Sequence, residues 1–306
     1  MDFEFRIPIA PRPAFFAQVE FFNFRLRSLG GQYRFCPLHI YVGEKCDLDA
    51  VRAQNAWSTD WPVFWHRVPD AVFDRYDMYG TANSRFLGPE PSAGTILFCD
   101  ADTVLVREIG DLSLAGVTDH GVVTGHMAHY PPEENGPTLP PSTSEQYWPE
   151  LLARFGLAMP DRLQRYSCDT SGRFPLSPPY FNLGVIAMNR RAFDLIAGRM
   201  DPIMDRLGGI TQSFMRCQLA LSIACLQGAI ETKLLDARFN AANDPLHASL
   251  HGVTAENVRI LHYLRGARID RNRIGEADYV RSLPEAGELD LDLLLRSELL
   301  KWHTRR

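Results

Sequence analysis

The chain has 306 residues, with 32 Lys and Arg against 37 Asp and Glu, a formal net charge of −5, and 45% hydrophobic and 23% charged residues. A chain of that length buries most of its unfolded surface, so it needs neither disulfides nor a structural metal to hold together, and a mini-protein scaffold is excluded. The acidic balance and the lack of a dense Lys/Arg run argue against a nucleic-acid partner, because such binders draw their affinity from neutralising phosphates.

Only Lys45, Lys233 and Lys301 are lysines, so nearly all positive charge is arginine. Arginine suits bidentate pairing to phosphate or carboxylate, and a GC-rich coding bias produces the same composition. Cys36, Cys46, Cys99, Cys168, Cys217 and Cys225 form no C-x-x-C and no zinc-type Cys/His spacing, and read as reduced, mostly buried thiols. The opening Met1-Asp2-Phe3-Glu4-Phe5-Arg6 carries acid where a signal peptide needs base, with no apolar run behind it. The longest uncharged, mainly apolar run, Cys217 to Ile230, is too short to cross a bilayer. The protein is expected to be soluble and cytoplasmic.

In chain order, a short apolar stretch at Ile7 to Ala10 precedes Pro11 and Pro13. Phe15, Val19, Phe22, Leu26 and Leu29 then recur at spacings of four and three, one face of a helix, which Gly30-Gly31 ends. Leu38 to Val42 is a compact strand, and Thr95 to Cys99 a second that runs into Asp100-Ala101-Asp102. Val104 to Val106 and Gly121 to Thr124 read as further strands. From Tyr130 to Trp148, five prolines among Ser, Thr and Glu predict a long irregular loop whose Tyr130, Tyr147 and Trp148 offer flat faces for stacking on sugar rings at the acceptor side of a cleft. Beyond it the pattern predicts a helix at Pro149 to Phe155, a strand at Val185 to Met188, helices at Arg191 to Arg206 and Ser213 to Gln227, and a strand at Val258 to Tyr263. Strands alternating with helices define an α/β class with a mainly parallel central sheet.

One α/β domain over residues 1–288 is expected, followed by an amphipathic helix over 289–306 in which Leu291, Leu294, Leu295 and Leu299 fall at helical spacing. Docking on the core explains that helix. Its terminal Trp302 and basic residues also fit a peripheral membrane contact.

The most informative segment is Ile96-Leu97-Phe98-Cys99-Asp100-Ala101-Asp102. A buried strand delivers two carboxylates at its carboxyl end, where open α/β sheets bind their ligands. Two acids one residue apart repel, and a hard divalent cation such as Mn²⁺ or Mg²⁺ stabilises the deprotonated pair. A solvated turn is the plainer alternative.

This pattern resembles the D-x-D motif of GT-A fold glycosyltransferases, and other segments follow in that family's order. Asn83 to Pro89 is similar to the arginine-bearing helix that leads to the D-x-D strand, and Pro179 to Asn189, with Phe181-Asn182-Leu183-Gly184-Val185, to the F-N-x-G-V segment of family 8 transferases. Cys217 to Leu221 resembles the D-Q-x-x-L helix start, Arg238-Phe239-Asn240 the segment ending in F/Y-N, and Ile260 to Tyr263 the strand ending in a metal-binding His. The sequence departs from the pattern at Cys217, where the family has an acid, and after His262, where only Tyr263-Leu264-Arg265-Gly266 follows.

The resemblance implies a single GT-A-like, Rossmann-like nucleotide-diphospho-sugar transferase domain. It further implies transfer of a sugar from a nucleotide-sugar donor, UDP-linked in the family, to a glycan or other hydroxyl acceptor. Asp102 and His262 would ligate Mn²⁺ or Mg²⁺, with Asp100 shared between the metal and the ribose side of the nucleotide. Arg85 would hold the diphosphate or brace Asp100, Asn182 would bind sugar hydroxyls, and Gln218 would face the donor or acceptor sugar. Arg265 would neutralise the leaving diphosphate, with Arg268 the alternative. Two rival readings remain. Asp100-Ala101-Asp102-Thr103-Val104 also fits the nucleophile strand of haloacid-dehalogenase-type phosphatases, although some 95 residues precede it, the later lysine can only be Lys233 or Lys301, and no convincing acidic pair follows. A non-catalytic carbohydrate-binding protein on the same fold is the other.

Overall fold

Phe3, Phe5, Ile7 and Ile9 point to one face of the first strand, β1 (Phe3–Ile9), and the fully buried run β2 (Leu38–Val42) lies parallel beside it. The computed structural model describes residues 2–76, 82–132, 143–211, 215–266, 268–286 and 289–306. The remaining strands are β3 (Val63–Arg67), β4 (Thr95–Cys99), β5 (Thr103–Leu105), β6 (Val122–Met127), β7 (Phe181–Asn189), β8 (Glu231–Leu234), β9 (Ala241–Ala242) and β10 (Ile260–His262). The helices are α1 (Pro13–Ser28), α2 (Leu48–Gln54), α3 (Asp70–Tyr76), α4 (Ser144–Arg154), α5 (Arg190–Gly208), α6 (Arg216–Gln227), α7 (Pro245–His251), α8 (Ala277–Ser282) and α9 (Asp290–Arg305).

Seven strands form the central sheet in the order β3-β2-β1-β4-β7-β6-β8. All run parallel except β7, which is antiparallel to both of its neighbours. Hence the α/β class and the mainly parallel sheet are as read from the sequence. A second sheet, β5-β10-β9, sits beyond the carboxyl end of β4. It exists because the chain turns at Asp100–Thr103 straight from β4 into β5, and β10 pairs antiparallel with β5 so that His262 lies opposite Thr103. That register sets the site.

Both faces of the large sheet are covered. On one, Phe5, Ile7 and Leu97 pack with Val19, Phe22 and Leu26 of α1; on the other, Ile96, Phe98, Ile186 and Met188 pack with α4, α5 and α6. β1 also carries a fully buried ion pair, Arg6 Nε to Glu4 Oε1 at 2.8 Å. The guanidinium donates further to the carbonyls of Arg85 and Pro89, and Glu4 Oε2 accepts from the Ser92 amide. With every polar end satisfied, the pair holds the segment that presents Arg85 to the site.

One sequence expectation is corrected here. The irregular loop does not extend through Trp148: α4 begins at Ser144 and includes Pro149 in its first turns. Tyr147 and Trp148 are buried in the core, and Trp148 Nε1 donates to the Tyr166 hydroxyl at 2.9 Å. Neither ring is available for sugar stacking. Residues 133–142 of that loop lie outside the described residues. The C-terminal helix docks on the core, the first of the two readings made of it from the sequence, and its apolar face is covered. Leu291, Leu295 and Leu299 are fully buried, the Trp302 ring lies 5.5 Å from Phe21 of α1, and Glu298 pairs with Arg25 at 2.6 Å. Among the described residues, no helix is long and apolar enough to cross a membrane.

Candidate functional site

Asp100 follows the last residue of β4, and its amide donates to the Gly184 carbonyl of β7 at 3.0 Å. The Thr103 hydroxyl and amide both bond back to the Asp100 carbonyl, which closes a tight turn with Asp102 at its tip. Tyr263 donates its amide to the Asp102 carbonyl at 2.9 Å, locking β10 onto that turn. As a result His262 Nε2 lies 3.3 Å from Asp102 Oδ1 and 4.0 Å from Asp100 Oδ2, and the three side chains converge within ligand distance of one another. Asp102 and His262 are buried, and Asp100 is partly exposed.

The hydrogen-bond network behind His262 fixes its tautomer. The Gly184 amide donates to Asn182 Oδ1 at 2.8 Å, and Asn240 Nδ2 donates to the same oxygen at 3.1 Å. Asn240 Oδ1 therefore faces His262 Nδ1, 3.0 Å away, and must accept its proton. Nε2 is left to face two carboxylates. Three acceptors aimed at one point are stable only with a cation between them. A proton serves when no metal is bound: burial alone would lower the His262 pKa, but the Asp102 carboxylate raises it above the ordinary imidazole value. Burial would raise Asp102, yet His262 and Arg271 hold it at about 2. Two anionic oxygens and one imidazole nitrogen with its far N–H on an amide oxygen form a donor set that fits Mn²⁺ or Mg²⁺. Gly184 is required at this spot, since a Cβ there would collide with the His262 ring.

Arginine flanks both acids. Arg85, almost fully buried, pairs through Nη2 with Asp100 Oδ1 and donates Nη1 to the Leu183 carbonyl at 3.0 Å. Of the two placements read from the sequence, the structure has it on Asp100. Arg271 pairs with Asp102 Oδ2, while Gln18 of α1 holds the Arg271 carbonyl at 3.0 Å.

The other residues named from the sequence stand around this centre. Asn182 has its Oδ1 committed as described. Gln218, on the first turn of α6, is buried, and its Oε1 has no hydrogen-bond partner among the described residues. Beside it Cys217, which electrostatically senses Arg85 and Asp100, is pushed up to about 12 by burial and stays a neutral thiol. Arg265 is part-exposed and donates Nε to Asp244 Oδ2 at 2.7 Å, and Arg268 pairs with Asp292. Tyr130 lines a pocket with Cys168, Asp169 and Phe174.

Two contributors escaped the sequence reading. Asn240 belongs to the Arg238-Phe239-Asn240 segment that resembles the family's F/Y-N ending, so a local signal marks it. Arg271, in the run Arg271-Asn272-Arg273, carries no motif at all and is brought to Asp102 only by the fold.

The architecture is that of the GT-A fold. The chain is similar to the galactosyltransferase LgtC, solved with donor and acceptor sugar analogues, at TM-score 0.54 and 15% identity, covering 94% of this chain and 98% of that one. It is also similar to mouse xyloside xylosyltransferase 1 in its apo form, at TM-score 0.51 and 12% identity over 88% of this chain and all of that one. A third similar structure is the bifunctional glycosyltransferase WbbM, at TM-score 0.53 and 10% identity, with 96% of this chain matching 51% of that one. No family model matches the chain, and no curated protein matches it.

Proposed function

We propose that this protein is a metal-dependent glycosyltransferase that moves a sugar from a nucleotide-diphosphate donor, UDP-linked, to a hydroxyl of a glycan or other acceptor. The observation that carries the reading is the convergence of Asp100, Asp102 and a tautomer-fixed His262 at the carboxyl end of a central strand in a GT-A fold.

Asp100, Asp102 and His262 would hold Mn²⁺ or Mg²⁺, which supplies Lewis-acid stabilisation for the charge that develops on the diphosphate leaving group. The imidazole favours Mn²⁺, because Mg²⁺ prefers an all-oxygen shell. Arg85 braces Asp100 so that its second oxygen faces the ligand. Arg265 keeps its terminal nitrogens for the leaving diphosphate while Asp244 fixes its Nε. Gln218 Oε1, buried and lacking a donor, accepts from a sugar hydroxyl, and Asn182 Nδ2 donates to another. With Cys217 neutral, the donor pocket has one negative charge fewer than the D-Q pattern would give it, and orientation of the sugar falls more heavily on Gln218.

The test is a panel of UDP- and GDP-sugars with purified protein and Mn²⁺. Nucleotide release that requires the metal and falls on the order of 100-fold in Asp102→Asn supports the proposal. Turnover of aryl phosphates without nucleotide release would transfer the assignment to a phosphatase. Glycan binding without either activity would make the protein a carbohydrate binder.

A further inference from the structure

Four of the protein's nine histidines, His126, His129, His247 and His251, gather into a cluster that shares no residue with the site above. His126 is the last residue but one of β6; His247 and His251 lie one turn apart on one face of α7. His126 and His247 are buried and His251 is exposed. Ring centroids are 5.2 Å apart for His126 and His247, 5.2 Å for His126 and His251, and 4.7 Å for His247 and His251. One nitrogen from each of these three lies within 4.8 Å of the others.

The hydrogen bonds select which nitrogens those are. His126 Nδ1 faces the Leu235 carbonyl at 3.2 Å and must donate to it, so its Nε2 carries the lone pair. His251 Nε2 faces the Ser167 carbonyl at 2.9 Å and must also donate, which leaves Nδ1 to coordinate. Such backbone carbonyls behind an imidazole are the usual supports of a metal-ligating histidine. His247 Nε2 lies 3.1 Å from His126 Nε2, close to the separation of two ligands on one tetrahedral ion. Without a metal, His247 donates that N–H to His126, and its Nδ1 is buried with no partner among the described residues. A histidine pair alone therefore accounts for two of the three convergent rings and gives His251 no part.

We propose that His126, His247 and His251 form a second metal site, selective for Zn²⁺ or a similar borderline cation, which clamps α7 to the end of β6. On loading, His247 coordinates through Nε2 and its proton moves to Nδ1, so no net proton is released. Three imidazoles without a carboxylate suit Zn²⁺ and disfavour Mg²⁺ and Ca²⁺. The exposed ring of His251 provides the entry path and an open fourth position for water. Burial holds His126 at about 4 and His247 at about 2, so both rings are neutral and ready to coordinate near pH 7. α7 is capped by Asp244, the partner of Arg265, so the clamp also anchors one wall of the first site.

The experiment separates the two centres by titrating metal-stripped, full-length Asp102→Asn protein with Co²⁺. One equivalent taken up, with the visible bands of tetrahedral Co²⁺ and displacement by Zn²⁺, is expected. X-ray absorption of the Zn²⁺ form should show nitrogen ligands at roughly 2.0–2.1 Å. His251→Ala, a change on an exposed ring that leaves the fold intact by circular dichroism, should weaken uptake on the order of 100-fold. His126→Gln gives an independent second loss. If Asp102→Asn binds no Co²⁺, or if uptake is unchanged in His251→Ala, the second site does not exist, and that result leaves the glycosyltransferase assignment untouched.

Discussion

Asn240 Oδ1 lies 3.0 Å from His262 Nδ1, and that contact decides which imidazole nitrogen faces the two carboxylates. Asn240 is itself oriented by its Nδ2 donating to Asn182 Oδ1. Asn240→Ala frees the His262 ring to rotate and to change tautomer. Mn²⁺ binding in the presence of UDP, followed by calorimetry, should weaken 10- to 100-fold, roughly the range for losing an outer partner of a metal-ligating histidine. Unchanged affinity would mean that β10 packing alone orients the ring.

Gly184→Ala tests the close approach of β7 to the same ring. The backbone of Gly184 already accepts the Asp100 amide and donates to Asn182 Oδ1, so it cannot retreat from the collision without breaking both bonds. His262 must yield instead. A stability loss on the order of 2 kcal/mol is expected by urea denaturation, with Mn²⁺ affinity down at least about 10-fold. Normal metal binding in a folded Gly184→Ala protein would show that the ring has room the packing does not suggest.

Arg271 presents the opposite case, a positive charge seated on a carboxylate of the proposed metal site. Its guanidinium is half-exposed and pairs with Asp102 Oδ2, the oxygen turned away from His262. Arg271→Gln removes a competitor for Asp102. Mn²⁺ alone should then bind several-fold more tightly, while binding of UDP with Mn²⁺ should gain less or fall if the arginine turns to the diphosphate once nucleotide arrives. Weaker binding of the bare ion would assign Arg271 to holding the Asp102 rotamer.

Much of the carboxylate end of this site was legible in the sequence, for physical reasons. A strand buried on both faces reads as an unbroken apolar run, and Thr95–Cys99 is one, so the emergence of Asp100 and Asp102 at its end followed directly. β3 and β8 escaped notice because they are the two edges of the sheet: Val63–Arg67 is half-exposed and its apolar run stops after Val63, Phe64 and Trp65, and Glu231–Leu234 is half-exposed and mostly polar. The prolines before and within α4 masked its helical period and made Tyr147 and Trp148 look like loop aromatics. Arg271 reaches Asp102 across 169 residues of sequence, a separation over which no local pattern operates. His126 and His247 were equally silent, since their meeting depends on α7 folding back over the end of β6.

The last prediction concerns acid stability and a pair remote from both sites. His39 of β2 and His66 of β3 stack with ring centroids 5.1 Å apart, and His39 Nδ1 lies 2.9 Å from His66 Nε2. Burial lowers both to about 4; Arg6 pushes each the same way, Arg52 adds to the effect on His66, and Glu4 opposes it on His39. In the unfolded chain each takes a proton near pH 6.5. Between about 6.5 and 4 the unfolded state therefore binds more protons than the folded one, and stability falls as the pH falls through that window. His126 and His129, held at about 4 and about 3, act in the same direction, so the comparison must be between variants. His66→Phe keeps a ring stacked between His39 and Tyr41 but cannot titrate. Urea denaturation at pH 6.5 and pH 5 should show the wild-type protein losing more stability than His66→Phe over that step, by on the order of 1 kcal/mol. Equal losses would mean that the folded pair takes up its proton as readily as the unfolded chain does.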